Sequence, residues 1–191
     1  MLAVIRHGQS LANAGVYKTS LHNLTDDNNV LTLEGVQGAL LVGNLLNEQG
    51  YFPELLITSG LARAKQTGLI IASALRTGVP IVHDKTFEEI QWYDTDGKYR
   101  AYGADQYYNN IDCPPHETAE SQRDVYNRVI PRFVEVARES LGKKYVLVAH
   151  YFVLRAIQSW IESGGPDKMP EFDPKNTDPL FLTDGILRAR V

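Results

Sequence analysis

Arg6, His7, Arg63 and His150, with the neighbouring acids Glu88 and Glu89, are the side chains of this chain best suited to handling a phosphoryl group. Phosphoryl oxygens carry charge that arginine satisfies through a planar, permanently charged fork, so Arg6 and Arg63 are candidate clamps. A neutral imidazole can attack phosphorus when its other nitrogen is held as an N–H donor. His7 and His150 form a candidate pair, and on chemistry alone either is the nucleophile. The leaving oxygen needs an acid, which afterwards takes a proton from water. Glu88 and Glu89 both qualify. As neighbours at the end of a strand they are expected to face opposite sides, so that only one reaches the pocket. A helix beginning just after His150 would add backbone N–H groups aimed at a phosphate.

The elements around these residues predict how they could meet. Leu2-Ala3-Val4-Ile5, Leu55-Leu56-Ile57-Thr58 and Tyr145-Val146-Leu147-Val148-Ala149 read as short buried strands, and Val79-Pro80-Ile81-Val82 as a strand whose proline favours an edge. Helices are expected from about Leu33 to Glu48 with Thr32 as N-cap and Gly50 as stop, and from Ser59, as cap, to about Arg76, ended by Gly78. Two more are expected from about Ser121 to Ser140 and from about Phe152 to Glu162, the latter broken by Gly164-Gly165-Pro166. The polar, Asn-rich residues 12–29 read as a surface loop. Residues 98–121 have no clear period and read as an irregular, lid-like segment, with Tyr99, Tyr102, Tyr107 and Tyr108 as ordinary loop packing. The tail is expected to form a hairpin around Asp184-Gly185. Alternating strands and helices predict a three-layer α/β/α domain with a mostly parallel central sheet. In such sheets ligands bind beyond the carboxyl ends of the strands, where Arg6-His7, Ser59 to Arg63 and His150 all fall.

The whole chain narrows the reading. At 191 residues it suits one domain spanning 1–191. Hydrophobic residues make up 43% and charged residues 22%, ordinary values for a globular protein. No apolar run approaches the roughly 18 residues of a membrane span. The start lacks the basic and apolar regions of a signal peptide, so a cytoplasmic location is expected. The single cysteine, Cys113, excludes an internal disulfide and a cysteine metal cluster and is expected to be inert. A net charge of -4 disfavours general nucleic-acid binding. His22, His83 and His116 are expected to be surface residues, and the sequence leaves a homodimer open.

Several motifs, taken in order, resemble those of a known family. Arg6-His7-Gly8-Gln9-Ser10 with Asn13 resembles the signature of the histidine phosphatase superfamily, the phosphoglycerate-mutase-like proteins. Leu31-Thr32 with Gly35 is similar to its Leu-Thr-x-x-Gly helix start. Thr58-Ser59, Leu61, Arg63-Ala64 and Gln66-Thr67 resemble its Ser-x-Leu-x-Arg-Ala-x-Gln-Thr segment. Glu89-Ile90 resembles its Glu-Ile pair, Glu120-Ser121 its Gly-Glu-Ser, and Val146 to His150 its strand ending in the second histidine. The likeness spans about residues 2 to 160. Arg-His-Gly alone is weakly specific; the ordered set is strong.

The resemblance implies that His7 is the phosphohistidine nucleophile and Glu89 the proton donor, then base. It implies that Arg6, Arg63 and His150 bind the phosphate with support from Asn13. Burial beside a phosphate dianion should raise the pKa of Glu89. It implies no metal and no cofactor, the arginines standing where Mg²⁺ stands elsewhere. Gln9, Ser10, Tyr151 and Arg100 are candidate substrate-pocket residues. Tyr151 stands where the family usually has glycine, and the stretch Gln91 to Gly97 keeps Gly97 but lacks an earlier glycine. The expected activity is hydrolysis of a small phosphate ester, releasing inorganic phosphate. The chain is shorter than the insertion-bearing glycolytic mutases, which favours a phosphatase over a mutase. A catalytically silent domain binding phosphorylated ligands or proteins is the third alternative.

Overall fold

The computed structural model describes residues 1–15, 27–90, 105–114 and 119–191. Arg100, His22, His116, Tyr99, Tyr102 and the stretch Gln91 to Gly97 lie outside the described residues, as do most of residues 12–29 and part of the 98–121 segment. The elements run β1 (Leu2–Arg6), α1 (Leu33–Glu48), β2 (Leu55–Thr58), α2 (Ala62–Leu75), β3 (Ile81–His83), α3 (Asp105–Asn109), α4 (Gln122–Glu139), β4 (Tyr145–Ala149), α5 (Tyr151–Ser163), β5 (Pro179–Leu182) and α6 (Asp184–Arg188). The strands form one sheet in the order β3-β2-β4-β1-β5. All pairings are parallel except that of β5 with β1.

Strand alternation builds two cores, one per face of the sheet. Leu2, Val4, Ile57, Leu147 and Ala149 pack under α4 and α5 with Val125, Phe133, Phe152 and Ile157. Ala3, Ile5, Leu56, Val146 and Val148 pack under α1 and α2 with Val42, Leu46, Ile71 and Leu75. This is the expected three-layer arrangement. The caps follow local chemistry. Thr32 Oγ1 accepts from Gly35 N, and Ser121 forms a capping box with Asp124. Among the described residues no helix is long and apolar enough to cross a membrane.

Two local expectations are corrected. The tail is not a hairpin around Asp184-Gly185: β5 pairs antiparallel with β1, and α6 follows at once. Thr183 caps α6 from the side, and the Asp184 carboxylate takes the N-terminal amine at 2.6 Å. These contacts favour a helical turn over the tight β-turn that the dipeptide predicts. Ser59 does not cap α2 either. Leu61 occupies the N-cap with no side-chain bond, because Ser59 is drawn against β4 by a bond from its N–H to the Val148 carbonyl.

Candidate active site

The parallel register puts three strand ends side by side. Arg6 stands opposite Ala149, and Thr58 opposite Val148. His7 therefore leaves β1 beside His150 leaving β4; the imidazole centroids are 4.9 Å apart. His7 is 3% exposed, Arg63 3% and His150 0%.

The tautomer of His7 is decided by its own backbone. Nδ1 lies 2.7 Å from the Gly8 carbonyl oxygen. A carbonyl only accepts, so Nδ1 carries the proton and Nε2 keeps the lone pair. Burial first, then the charges of Arg63 and Arg6, hold the His7 pKa well below the usual histidine value. The ring is neutral at pH 7 and nucleophilic at Nε2. Gly8 can bring its carbonyl there because it passes against Gly35, where an added Cβ would come 2.4 Å from the Gly35 oxygen. Thr67 on α2 accepts from Gly8 N–H at 3.0 Å and donates to the Arg63 carbonyl.

His150 is tethered at the other nitrogen. Its Nε2 lies 2.6 Å from Ser59 Oγ, and its buried Nδ1 has no partner among the described residues. The buried Nε of Arg6 also has no partner among the described residues, while Arg6 Nη1 donates to the Pro174 carbonyl. A phosphoryl group beside His7 would satisfy such donors. Burial, followed by Arg63 and His7, also drives the His150 pKa well down.

Glu89 reaches the site from the loop after β3. The expectation that Glu88 and Glu89 end a strand is corrected, since a 3-10 turn, Lys85–Phe87, intervenes. Glu89 accepts from Tyr151 N–H at 3.0 Å through Oε2, and from Phe152 N–H at 3.2 Å through Oε1. The α5 N–H groups expected to face phosphate thus hold the acid instead, because a carboxylate meets both the dipole and the unpaired donors of that helix end. Burial raises the Glu89 pKa, opposed by Arg63 and by the backbone bond at Ile90. Glu88 lies against Gly60.

The remaining candidates have mixed placements. Asn13 is exposed; its Oδ1 accepts from Ser10 N–H and from Asn176 Nδ2. Gln9 and Ser10, expected in a substrate pocket, are engaged internally. Gln9 Oε1 accepts from the Thr32 hydroxyl at 2.7 Å, and buried Ser10 bridges to Leu31. The Tyr151 ring is in cation–π contact with two guanidinium groups, 4.9 Å from that of Arg6 and 4.6 Å from that of Arg155. Burial is the main cause that pushes its hydroxyl up to about 12. Sequence reasoning missed Asn176, whose Nδ2 donates to the His7 carbonyl at 2.6 Å across 169 positions. It also missed Ser59 as the partner of His150. No local pattern announces a long-range bond of the Asn176 kind, whereas Ser59 and Thr67 lay inside a quoted motif. Among the described residues no group of three His, Cys, Asp or Glu is placed to hold a metal ion.

Comparison with known proteins shows the family and the fold. The sequence model of the histidine phosphatase superfamily (branch 1) matches residues 2–182. A 2,3-bisphosphoglycerate-dependent phosphoglycerate mutase of Azorhizobium caulinodans is 30% identical over 178 residues, covering 87% of this chain and 84% of that protein. Among solved structures, the mycobacterial glucosyl-3-phosphoglycerate phosphatase Rv2419c superposes with a TM-score of 0.72 at 24% identity, over 92% of this chain and 86% of that one. Bacillus stearothermophilus YhfR gives 0.74 at 20%, over 93% and 88%. With its motifs in order and its sheet in the same form, the chain belongs to the histidine phosphatase superfamily, whose members include phosphatases and phosphoglycerate mutases.

Proposed function

We propose that this protein is a cytoplasmic, metal-independent phosphomonoesterase that acts on a small phosphorylated metabolite through a phosphohistidine at His7. The observation that carries the reading is the bond from His7 Nδ1 to the Gly8 carbonyl. It leaves a neutral Nε2 nucleophile among Arg6, Arg63 and His150. Nε2 attacks phosphorus, and the bond from phosphorus to the ester oxygen breaks as Glu89 delivers its proton to that oxygen. Water then attacks phosphorus, Glu89 takes its proton, and the P–N bond breaks to release inorganic phosphate and neutral His7. The arginines and the Nδ1–H of His150 carry the charge on the phosphoryl oxygens. Asn13 reaches the site through Asn176, Tyr151 is proposed to shape the leaving-group side, and Arg100 stays a candidate substrate-pocket residue outside the described residues.

The test is a phosphatase panel run with and without chelator, on the unaltered protein and on His7→Ala. Hydrolysis insensitive to chelator, with an acid-labile phosphoenzyme absent from the variant, is expected. A fully active His7→Ala protein would refute the reading. The mutase named among the relatives favours a second one, in which phosphate returns to another position of the substrate. Conversion of 3-phosphoglycerate to 2-phosphoglycerate, primed with 2,3-bisphosphoglycerate and exceeding phosphate release, would favour it.

A further inference from the structure

Glu89 sits on a connection with no ladder or helix of its own. After the 3-10 turn the chain runs extended through Glu88, at φ -68 and ψ 154. The carboxylate nevertheless has to hold a definite place at the head of α5. A misplacement of about 1 Å in a catalytic group can cost about a hundredfold in rate.

Arg128, on α4, grips this connection from behind. Its Nη1 donates to the Thr86 carbonyl at 2.5 Å and its Nη2 to the Glu88 carbonyl at 3.2 Å. The Glu88 carbonyl belongs to the peptide group that leads into Glu89. The other edge of the guanidinium is bound in parallel by Glu120, with Nε to Oε1 and Nη2 to Oε2 both at 2.7 Å. This is the fork-to-fork pairing that fixes orientation as well as charge. The Arg128 and Glu120 side chains are 27% and 32% exposed. A lysine could supply the charge but could not span two carbonyls and a carboxylate together.

The start of the loop has a separate anchor. Asp84 accepts from Thr86 N–H and pairs with Arg132 at 2.8 Å. Loss of Arg128 would therefore free chiefly the end nearest Glu89. We infer that Arg128, braced by Glu120, is a positioning residue for the proposed acid Glu89, acting through the Glu88 carbonyl. This inference rests on the phosphomonoesterase reading and adds to it the element that aims its acid.

The experiment compares 4-nitrophenyl phosphate, whose leaving group needs little protonation, with β-glycerophosphate, whose alkoxide needs much. Arg128→Lys and Arg128→Met are expected to lower kcat/KM for β-glycerophosphate by about tenfold or more. The loss on 4-nitrophenyl phosphate should stay below about threefold, and inhibition by inorganic phosphate should be unchanged. Glu120→Gln should tilt selectivity the same way, which keeps the test open if an Arg128 variant fails to fold. In a Glu89→Gln background, Arg128→Lys should add less than about twofold, because the group it positions is gone. Equal losses on both esters, or a full Arg128→Lys effect in the Glu89→Gln background, would overturn the role. Unaltered protein that hydrolyses neither ester would overturn the phosphomonoesterase reading itself; active unaltered protein with unselective variants overturns the Arg128 role alone.

Discussion

Ser59→Ala tests whether one hydroxyl sets the tautomer of a buried histidine for the proposed phosphate. His150 is wholly buried and presents two different nitrogens: Nε2 bound to Ser59 Oγ at 2.6 Å, and Nδ1 without a partner among the described residues. Ser59 Oγ accepts from Leu61 N–H at 3.3 Å, and among the described residues only His150 Nε2 stands ready to take its proton, so Oγ donates to Nε2 and the imidazole proton sits on Nδ1. In that tautomer His150 would donate toward a phosphoryl oxygen of the proposed substrate; in the other it would present a lone pair and repel it. Alanine removes the partner of Nε2 and the bias between tautomers. Leaving a buried polar nitrogen unpaired costs about 1–3 kcal/mol, or roughly 2–12 °C in Tm for a chain of this size. A bond of this length belongs near the upper end of the usual net value, about 1.4 kcal/mol, which is about tenfold in phosphate affinity. The assay is the inhibition constant of inorganic phosphate, read beside thermal unfolding with and without phosphate. An approximately tenfold weaker inhibition and a smaller phosphate-induced gain in Tm are expected. A variant with lowered Tm but unaltered phosphate inhibition would show that Ser59 only packs, and would refute the tautomer argument.

Acid should destabilise the unliganded protein earlier than an average surface histidine would allow. Burial holds His7 and His150 well below their unfolded value of about 6.5, so below that pH the unfolded chain binds up to two more protons and stability falls as pH falls. Glu89, raised by burial, keeps a proton that the unfolded chain has lost and offsets up to one of these. At about 1.4 kcal/mol per proton per pH unit, the slope is expected to grow below pH 6.5 toward about 1.4–2.7 kcal/mol per unit once the unfolded histidines are fully protonated. Urea midpoints at three pH values would check it, and a flat profile would contradict it. Gly35→Ala should cost more than the about 1–3 kcal/mol of ordinary overpacking, since its Cβ would meet the Gln9 carbonyl oxygen at 2.1 Å, backbone against backbone. Activity should fall with it, because Gln9 and Gly8 lead directly to His7. Gly165→Ala, where a Cβ meets nothing within 4 Å, is the control; equal stability of the two variants by denaturant titration would defeat the explanation.

Much of the fold was legible because its elements carry local signals. Leu2 to Ile5 and Tyr145 to Ala149 are apolar on both faces because both faces of the sheet are covered. Thr32 and Ser121 act as the caps their residue types suggest. Edge placement of β3 was foreshadowed by Pro80. Asp184-Gly185 was misread because a two-residue turn signal says nothing of the N-terminal amine that arrives from 183 positions away. Ser59 was misread because its cap chemistry competes with a buried histidine that only the β2–β4 register brings near.

By itself, then, the sequence determined the residue types of the candidate phosphoryl-handling site, their order, and the strand ends that carry His7 and His150. Side-chain chemistry and hydrophobic period are local properties and need no folded partner to be read. Tertiary structure alone decided which atoms face which. It turned the head of α5 toward Glu89 rather than outward to a ligand, tied His7 to Asn176, bound His150 to Ser59, and set Arg128 behind the acid loop. Those are contacts across 40 to 169 positions. They depend on strand order and register, which no single stretch of chain contains.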